Sequence, residues 1–176
     1  MEIERKYLVK YEDFIKFKQD KQFKVISIHD CYLSEGFRIR RTINKDDGVN
    51  YIITHKSIGT LCREEDECVI PEKFHKGFIS LFEDKYLDKT RFVYELNNKK
   101  YEFNVFNNVK QQEKPLVILE VELKDKDEDT LVNSLDVDLF EITKYTSFYG
   151  YNLFKRVKWF IVFMVMEKEK QKLVLV

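Results

Sequence analysis

The sequence predicts a mainly β fold with a few peripheral helices: an antiparallel sheet of about eight strands, closed into a barrel or tunnel with a charged lumen. Two observations carry this expectation. Segments of alternating apolar and polar residues follow one another through most of the chain, joined by short hairpin signals. On these segments like charges stand two positions apart, in Glu2/Glu4, Arg38/Arg40, Glu65/Glu67, Lys89/Arg91 and Glu120/Glu122, with Lys6 continuing the first pair. Spacing of two places both members of a pair on one face of a strand.

Glu2–Val9 alternates as a first strand, with Ile3 opposite the acidic pair. Tyr11–Gln22 has Phe14, Ile15, Phe17 and Lys18 at helical spacing and predicts a short amphipathic helix. Phe23–Leu33 and Gly36–Asn44 read as strands joined by Ser34-Glu35-Gly36. Lys45-Asp46-Asp47-Gly48 turns into Val49–Lys56, Ser57-Ile58-Gly59-Thr60 closes that strand, and Leu61–Ile70 pairs back. Pro71 suits the first position of a helix over Pro71–Phe82, with Phe74, Phe78 and Leu81 on one face. Three strands follow, Tyr86–Leu96, Lys99–Asn107 and Leu116–Leu123, the first two joined by a tight turn at Asn97-Asn98. Asp125–Leu135 predicts an acidic exposed helix and Thr146–Lys155 a short closing one. A sheet joined almost wholly by hairpins closes most simply into a barrel.

The charged pairs have a plain reading, the wet face of an antiparallel sheet. Their grouping by sign argues against it, because the acidic pairs are purely acidic and the basic pairs purely basic, and like neighbours repel unless a counter-ion offsets them. Glu-x-Glu suits a divalent cation with oxygen ligands, and Arg-x-Arg or Lys-x-Arg suits phosphate oxygens. Together they suggest a sheet face that holds a metal–polyphosphate complex.

At 176 residues the chain is read as one domain. Lys+Arg and Asp+Glu balance at 31 each, which weighs against a nucleic-acid partner. Fifteen Phe and ten Tyr supply core bulk, and alanine is absent. Cys31, Cys62 and Cys68 have no CxxC spacing, and His29, His55 and His75 form no ligand motif with them, so reduced thiols and a cytoplasmic location are expected. The opening residues show no secretory signal, and the apolar run Trp159–Met166 is far shorter than the roughly 20 residues that span a bilayer.

The opening Glu2-Ile3-Glu4-Arg5-Lys6-Tyr7-Leu8-Val9 resembles the ExExK signature of the CYTH superfamily, the triphosphate tunnel metalloenzymes. Arg38-x-Arg40, Lys56, Glu65-x-Glu67, Lys89-Thr90-Arg91 and Glu120-x-Glu122 follow in that family's order, so the resemblance covers residues 1–155 and is nearest to small bacterial tripolyphosphatase-type members. It implies an eight-stranded tunnel that binds a triphosphate with Mg²⁺ or Mn²⁺. Lys6, Arg38, Arg40, Lys56, Lys89 and Arg91 would hold phosphate oxygens. Glu2, Glu4, Glu120 and Glu122 would hold the metal, and Glu65 and Glu67 lie beside the basic row, Glu67 as metal ligand or orienter of the attacking water. Lys89 would polarise that water or the reacting phosphorus. Tyr32 matches a lumen-facing tyrosine, or is an ordinary packing aromatic.

The resemblance implies hydrolysis of inorganic tripolyphosphate. Class IV adenylyl cyclase, thiamine triphosphatase and a non-catalytic nucleotide- or polyphosphate-binding module are the alternatives. Two departures bear on this. Asn104 stands where the family pattern has an aspartate, which removes a charge from a second metal position, and Tyr145, Thr146 and Ser147 replace basic residues after Glu141-Ile142-Thr143. Residues 156–176 extend past the resemblance and are read as an element packed on the barrel, a homodimer contact or a membrane-surface anchor.

Overall fold

Alternation along a strand gives a closed sheet two separate faces to fill, one inside the ring and one outside. The computed structural model describes residues 1–81, 86–111 and 113–155 and bears this out on strand after strand. The strands are β1 (Glu2–Val9), β2 (Lys24–Tyr32), β3 (Phe37–Asn44), β4 (Gly48–Lys56), β5 (Cys62–Arg63), β6 (Glu65–Val69), β7 (Tyr86–Leu96), β8 (Lys99–Gln111), β9 (Lys114–Leu123) and β10 (Leu139–Glu141). The helices are α1 (Tyr11–Gln19), α2 (Glu72–Ile79) and α3 (Gly150–Lys155), with single 3₁₀ turns at Val132–Ser134 and Thr146–Phe148.

The hydrogen-bonded order β1-β9-β8-β7-β2-β3-β4-β6 is closed by β5, which pairs back onto β1 through Glu2↔Arg63 and Ile3↔Cys62. The strand expected over Leu61–Ile70 is interrupted at Glu64, where backbone and Ser57 exchange hydrogen bonds: Ser57 N donates to the Glu64 carbonyl and Glu64 N to Ser57 Oγ, each at 2.9 Å. That break lets one run of chain change partners, from β4 along β6 to β1 along β5. With β5 and β6 taken as one interrupted strand, the ring is the expected eight-stranded antiparallel barrel. The sequence reading missed β10, which takes the remaining edge of β1 at Tyr7–Val9.

The outer core lies where α1 covers β1, β7, β8 and β9. Phe14 and Phe17 of α1 meet Phe92, Tyr94 and Phe103, with ring centroids 5.2–5.4 Å apart. The inner core plugs one end of the barrel with Leu8, Leu87, Phe106, Ile118, Phe148 and Leu153. The cavity beyond that plug is lined mostly by charged and polar side chains. Asn97 and Asn98 both adopt positive φ (53° and 60°), the tight turn expected of them.

Three expectations are corrected. Asp125–Leu135 is no helix; Asp125 Oδ1 accepts from Asp127 N and Asp129 Oδ1 from Leu131 N, local bonds that compete with helical ones, and Leu131 is left-handed at φ 53°. In α2, Pro71 caps the helix from outside, and the inward residue is His75, against the Tyr51 ring at 4.7 Å; Phe74 and Leu81 are 53% and 73% exposed. The closing segment is a 3₁₀ turn followed by α3, parted at Tyr149. Phe82 and all readings of residues 156–176, Trp159 included, lie outside the described residues.

Phe14 is 1% exposed at the centre of the outer core. Phe14→Ala should therefore cost about 3–5 kcal/mol in urea unfolding. A loss below about 1 kcal/mol would mean that α1 does not anchor the barrel wall.

A charged tunnel as the candidate functional site

Because alternate residues of each strand share a face, the like-charged pairs all turn inward together. One cavity of about 360 Å³, within the rough 300–1,000 Å³ range of small-molecule sites, is lined by every residue to which the sequence gave a binding, metal or catalytic role: Glu2, Glu4, Lys6, Tyr32, Arg38, Arg40, Lys56, Glu65, Glu67, Lys89, Arg91, Glu120 and Glu122. Glu35, Arg63, Lys100 and Glu102 join them. Among the described residues the lining is thus balanced, eight carboxylates against eight cationic side chains.

These charges pair with one another, mostly across strands. Lys6 Nζ lies 2.7 Å from Glu4 and 2.5 Å from Glu120. Burial works against its charge, but Glu120 and Glu4 hold the ammonium above its ordinary range. Arg91 reaches Glu120 at 2.9 Å and also pairs with Glu102. Burial opposes ionisation of Glu120 as well, and Lys6, Lys89 and Arg91 together hold it well below the usual carboxylate range. Lys56 bridges Glu2 (2.8 Å) and Glu65 (3.0 Å). Glu67 accepts from the Thr54 hydroxyl at 2.9 Å and lies 3.4 Å from Arg38.

The most buried ionic group behind this lining is Asp30, 0% exposed, on the same strand as Tyr32 and two residues before it. Arg40 grips it bidentately, Nε at 2.6 Å and Nη2 at 2.9 Å, and Arg38 and Lys89 stand 3.8 Å away. Burial would raise the Asp30 carboxyl, yet Arg40, Arg38 and Lys89 hold it well below its ordinary value. Two of Arg40's three nitrogens are thereby committed to the protein. Lys89 is pushed the other way: burial first, then Arg91, bring its ammonium down to about 7, against the pull of Glu120 and Asp30.

Asn104 is fully buried and bridges two of these groups. Its Oδ1 accepts from Arg91 Nε at 2.9 Å and its Nδ2 donates to Glu120 at 2.9 Å; since Arg91 can only donate, the amide orientation is set. Tyr32 lines the cavity but belongs to the inner apolar plug, its phenol pushed up to about 12 by burial and Asp30. It packs so closely on Gly150 that a Cβ there would lie 1.8 Å from the phenol oxygen, which is why this position is glycine.

Carboxylate oxygens are the donors a hard cation prefers. Glu4 and Glu122 stand opposite each other on β1 and β9, a like-charged pair beside Glu2, and Glu122 is exposed to the cavity. No group of three acidic, His or Cys side chains is gathered for a metal among the described residues. Glu2, Glu4 and Glu122 are the lining carboxylates at this end that could reach a hard cation, a cation of this kind needing only one or two protein carboxylates where phosphate oxygens supply the rest.

Two outcomes follow from this geometry. A folded-state Lys89 near 7, against an ordinary 10.5, means the unfolded chain binds more protons between those values, so this group's contribution to stability rises with pH and is a full penalty below about 7. Lys89→Met should accordingly raise the Tm of the ligand-free protein, by more at pH 6.5 than at pH 9.5; an equal change at both would contradict the depressed ammonium. Asn104→Asp should lower the unfolding midpoint at pH 8, since it sets a second carboxylate against Glu120, and a neutral or stabilising result would refute the bridging role.

No family model and no curated protein matches the sequence. Solved structures do. The inorganic triphosphatase NE1496 is 22% identical, with 89% of this chain and 96% of its own covered and a TM-score of 0.56. PH1012 from Pyrococcus horikoshii OT3 is 22% identical, covering 78% of this chain and 94% of its own at a TM-score of 0.52. HpAC1 from Hippeastrum, described as revealing a dominant triphosphatase activity, is 11% identical over 79% of this chain and 90% of its own, with a TM-score of 0.53. Such identities speak to architecture alone, and in architecture the chain shares the closed antiparallel β fold of these structures.

Proposed function

We propose that the protein hydrolyses a triphosphate inside this tunnel, inorganic tripolyphosphate being the substrate and Mg²⁺ or Mn²⁺ the cofactor. The observation that carries the reading is the balanced lining. A lining of as many carboxylates as cations, with Asp30 ionised behind it and Lys89 only partly charged, has no net attraction for a bare polyanion, but it suits a triphosphate whose charge is compensated by a divalent cation. Two structures of like fold are described as triphosphatases, which supports the same reading.

Lys6, Arg38, Lys56 and Arg91 would bind phosphate oxygens, and Arg40 would contribute through the nitrogen that Asp30 leaves free. Glu2, Glu4 and Glu122, with Glu120 behind them, would hold the cation, which when bound supplies charge neutralisation at the phosphate oxygens. Glu67, which accepts from the Thr54 hydroxyl, would accept a hydrogen bond from the attacking water. Lys89, its ammonium brought down to about 7 by burial and Arg91, would become fully cationic beside phosphate oxygens and stabilise charge developing on the reacting group. Tyr32, neutral and packed in the plug, orients the floor of the site rather than moving a proton.

Phosphate release from tripolyphosphate, ATP and thiamine triphosphate, each with Mg²⁺, Mn²⁺ or chelator, tests the reading. Tripolyphosphate turnover abolished by chelator is the expected result; preference for thiamine triphosphate or cyclic AMP formation from ATP would move the assignment to the corresponding alternative. Binding of a non-hydrolysable analogue with no turnover of any substrate would make the protein a capture module. Lys89→Ala should lower kcat at least about tenfold with a smaller change in analogue affinity, as expected of a group acting mainly in the transition state. Equal losses in both would assign it to binding.

A further inference from the structure

Arg63 was not singled out from the sequence, although it stands two residues before Glu65 on the strand expected over Leu61–Ile70. In the structure it is the side chain that closes the barrel. It lies on β5, opposite Glu2 on β1, and its Nη2 sits 3.1 Å from both Glu2 and Glu4. One nitrogen equidistant from two carboxylates occupies the place of a bridging cation. The guanidinium is steadied from behind by the Tyr149 ring, 5.4 Å away, whose hydroxyl reaches the carbonyls of Thr143 (2.7 Å) and Thr60 (2.9 Å).

Its neighbours differ from it in one respect. Lys6 also holds Glu120, and Lys56 also holds Glu65, so both keep an anionic partner if Glu4 and Glu2 turn to something else. Among the described residues the ion pairs of Arg63 are with Glu2 and Glu4 alone. Its side chain is 13% exposed, so separating it from them strands a largely buried charge.

We propose that Arg63 is a built-in counter-ion of the tunnel, occupying the Glu2–Glu4 pair until a divalent cation displaces it and triphosphate oxygens receive it. Divalent cation alone evicts the guanidinium into a site with no partner and binds weakly. Cation and triphosphate together exchange one set of ion pairs for another, so each strengthens the binding of the other. The inference rests on the proposed assignment of Glu2 and Glu4 to the cation.

Mn²⁺ binding, followed through the paramagnetic resonance signal of free Mn²⁺, tests it on the full-length protein, alone and with an imido analogue of tripolyphosphate referenced to a protein-free mixture. Arg63→Met keeps the stem over Tyr149 and removes the charge; Arg63→Lys keeps the charge and serves as the control if the first variant folds poorly. The expected result is that Arg63→Met binds Mn²⁺ alone roughly tenfold or more tightly than the natural protein and gains less from the analogue, while Arg63→Lys follows the natural protein. Equal Mn²⁺ affinity in all three forms, with Glu2→Gln weakening each, would overturn the counter-ion role and leave the cation assignment standing. Mn²⁺ binding indifferent to Glu2→Gln, or absent in every form with the analogue present, would overturn the assignment of Glu2 and Glu4 and the inference with it.

Discussion

Charge neutralisation inside a closed ring is the condition on which the rest of this structure depends. Charges facing inward cannot escape to bulk water as they would from an open sheet, and an unpaired one costs several kcal/mol, on the order known for buried ions. The protein answers by placing partners on different strands: Lys6 on β1 with Glu120 on β9, Arg91 on β7 with Glu102 on β8, Lys56 on β4 with Glu2 on β1. Because each pair crosses between strands, the ionic lining also records how the barrel is assembled. At the closure, where only Glu2 and Ile3 of β1 pair with β5, the side chains of Arg63 and Lys56 span the seam.

The two apolar clusters explain why this wet interior can be held open. Stability comes from the outer core, where the aromatic rings of α1 meet those of β7 and β8, and from the plug at one end. Neither needs the lumen to collapse. The same strands serve both, Val117, Leu119 and Val121 facing α1 while Glu120 and Glu122 face the cavity. A single shift of register in β9 would exchange those sets, which ties the site's chemistry to the packing of the opposite face.

Within the lining, not every cation is equally available to a ligand. Asp30 takes two nitrogens of Arg40 and is the reason that arginine is rigid. Lys89 is held at a disadvantage by burial and Arg91, a cost that an incoming anion would relieve. Asn104 changes meaning in this setting. As a substitution for an acid it reads as a lost ligand; in place it is an amide that satisfies Arg91 and Glu120 at once, which a carboxylate could not do.

The barrel and its inward faces were legible in the residues themselves. A period of two is a local property, so Glu2/Glu4/Lys6 or Arg38/Arg40 declare a shared face whatever the strand pairs with. Turn chemistry is equally local, and Asn97-Asn98 and Gly48 bend where expected. What composition suggested without tertiary context went astray: the acidic run Asp125–Leu135 makes side-chain turns instead of a helix, and α2 buries His75 rather than the Phe74/Leu81 face, because the wall beneath it offers Tyr51. The break at Glu64, the grip of Asp30 on Arg40 and the seat of Arg63 between Glu2 and Glu4 were decided only by the folded ring. Each depends on which distant strands come to lie side by side, and the spacing along one strand determines the face of a charge but not the partner that neutralises it.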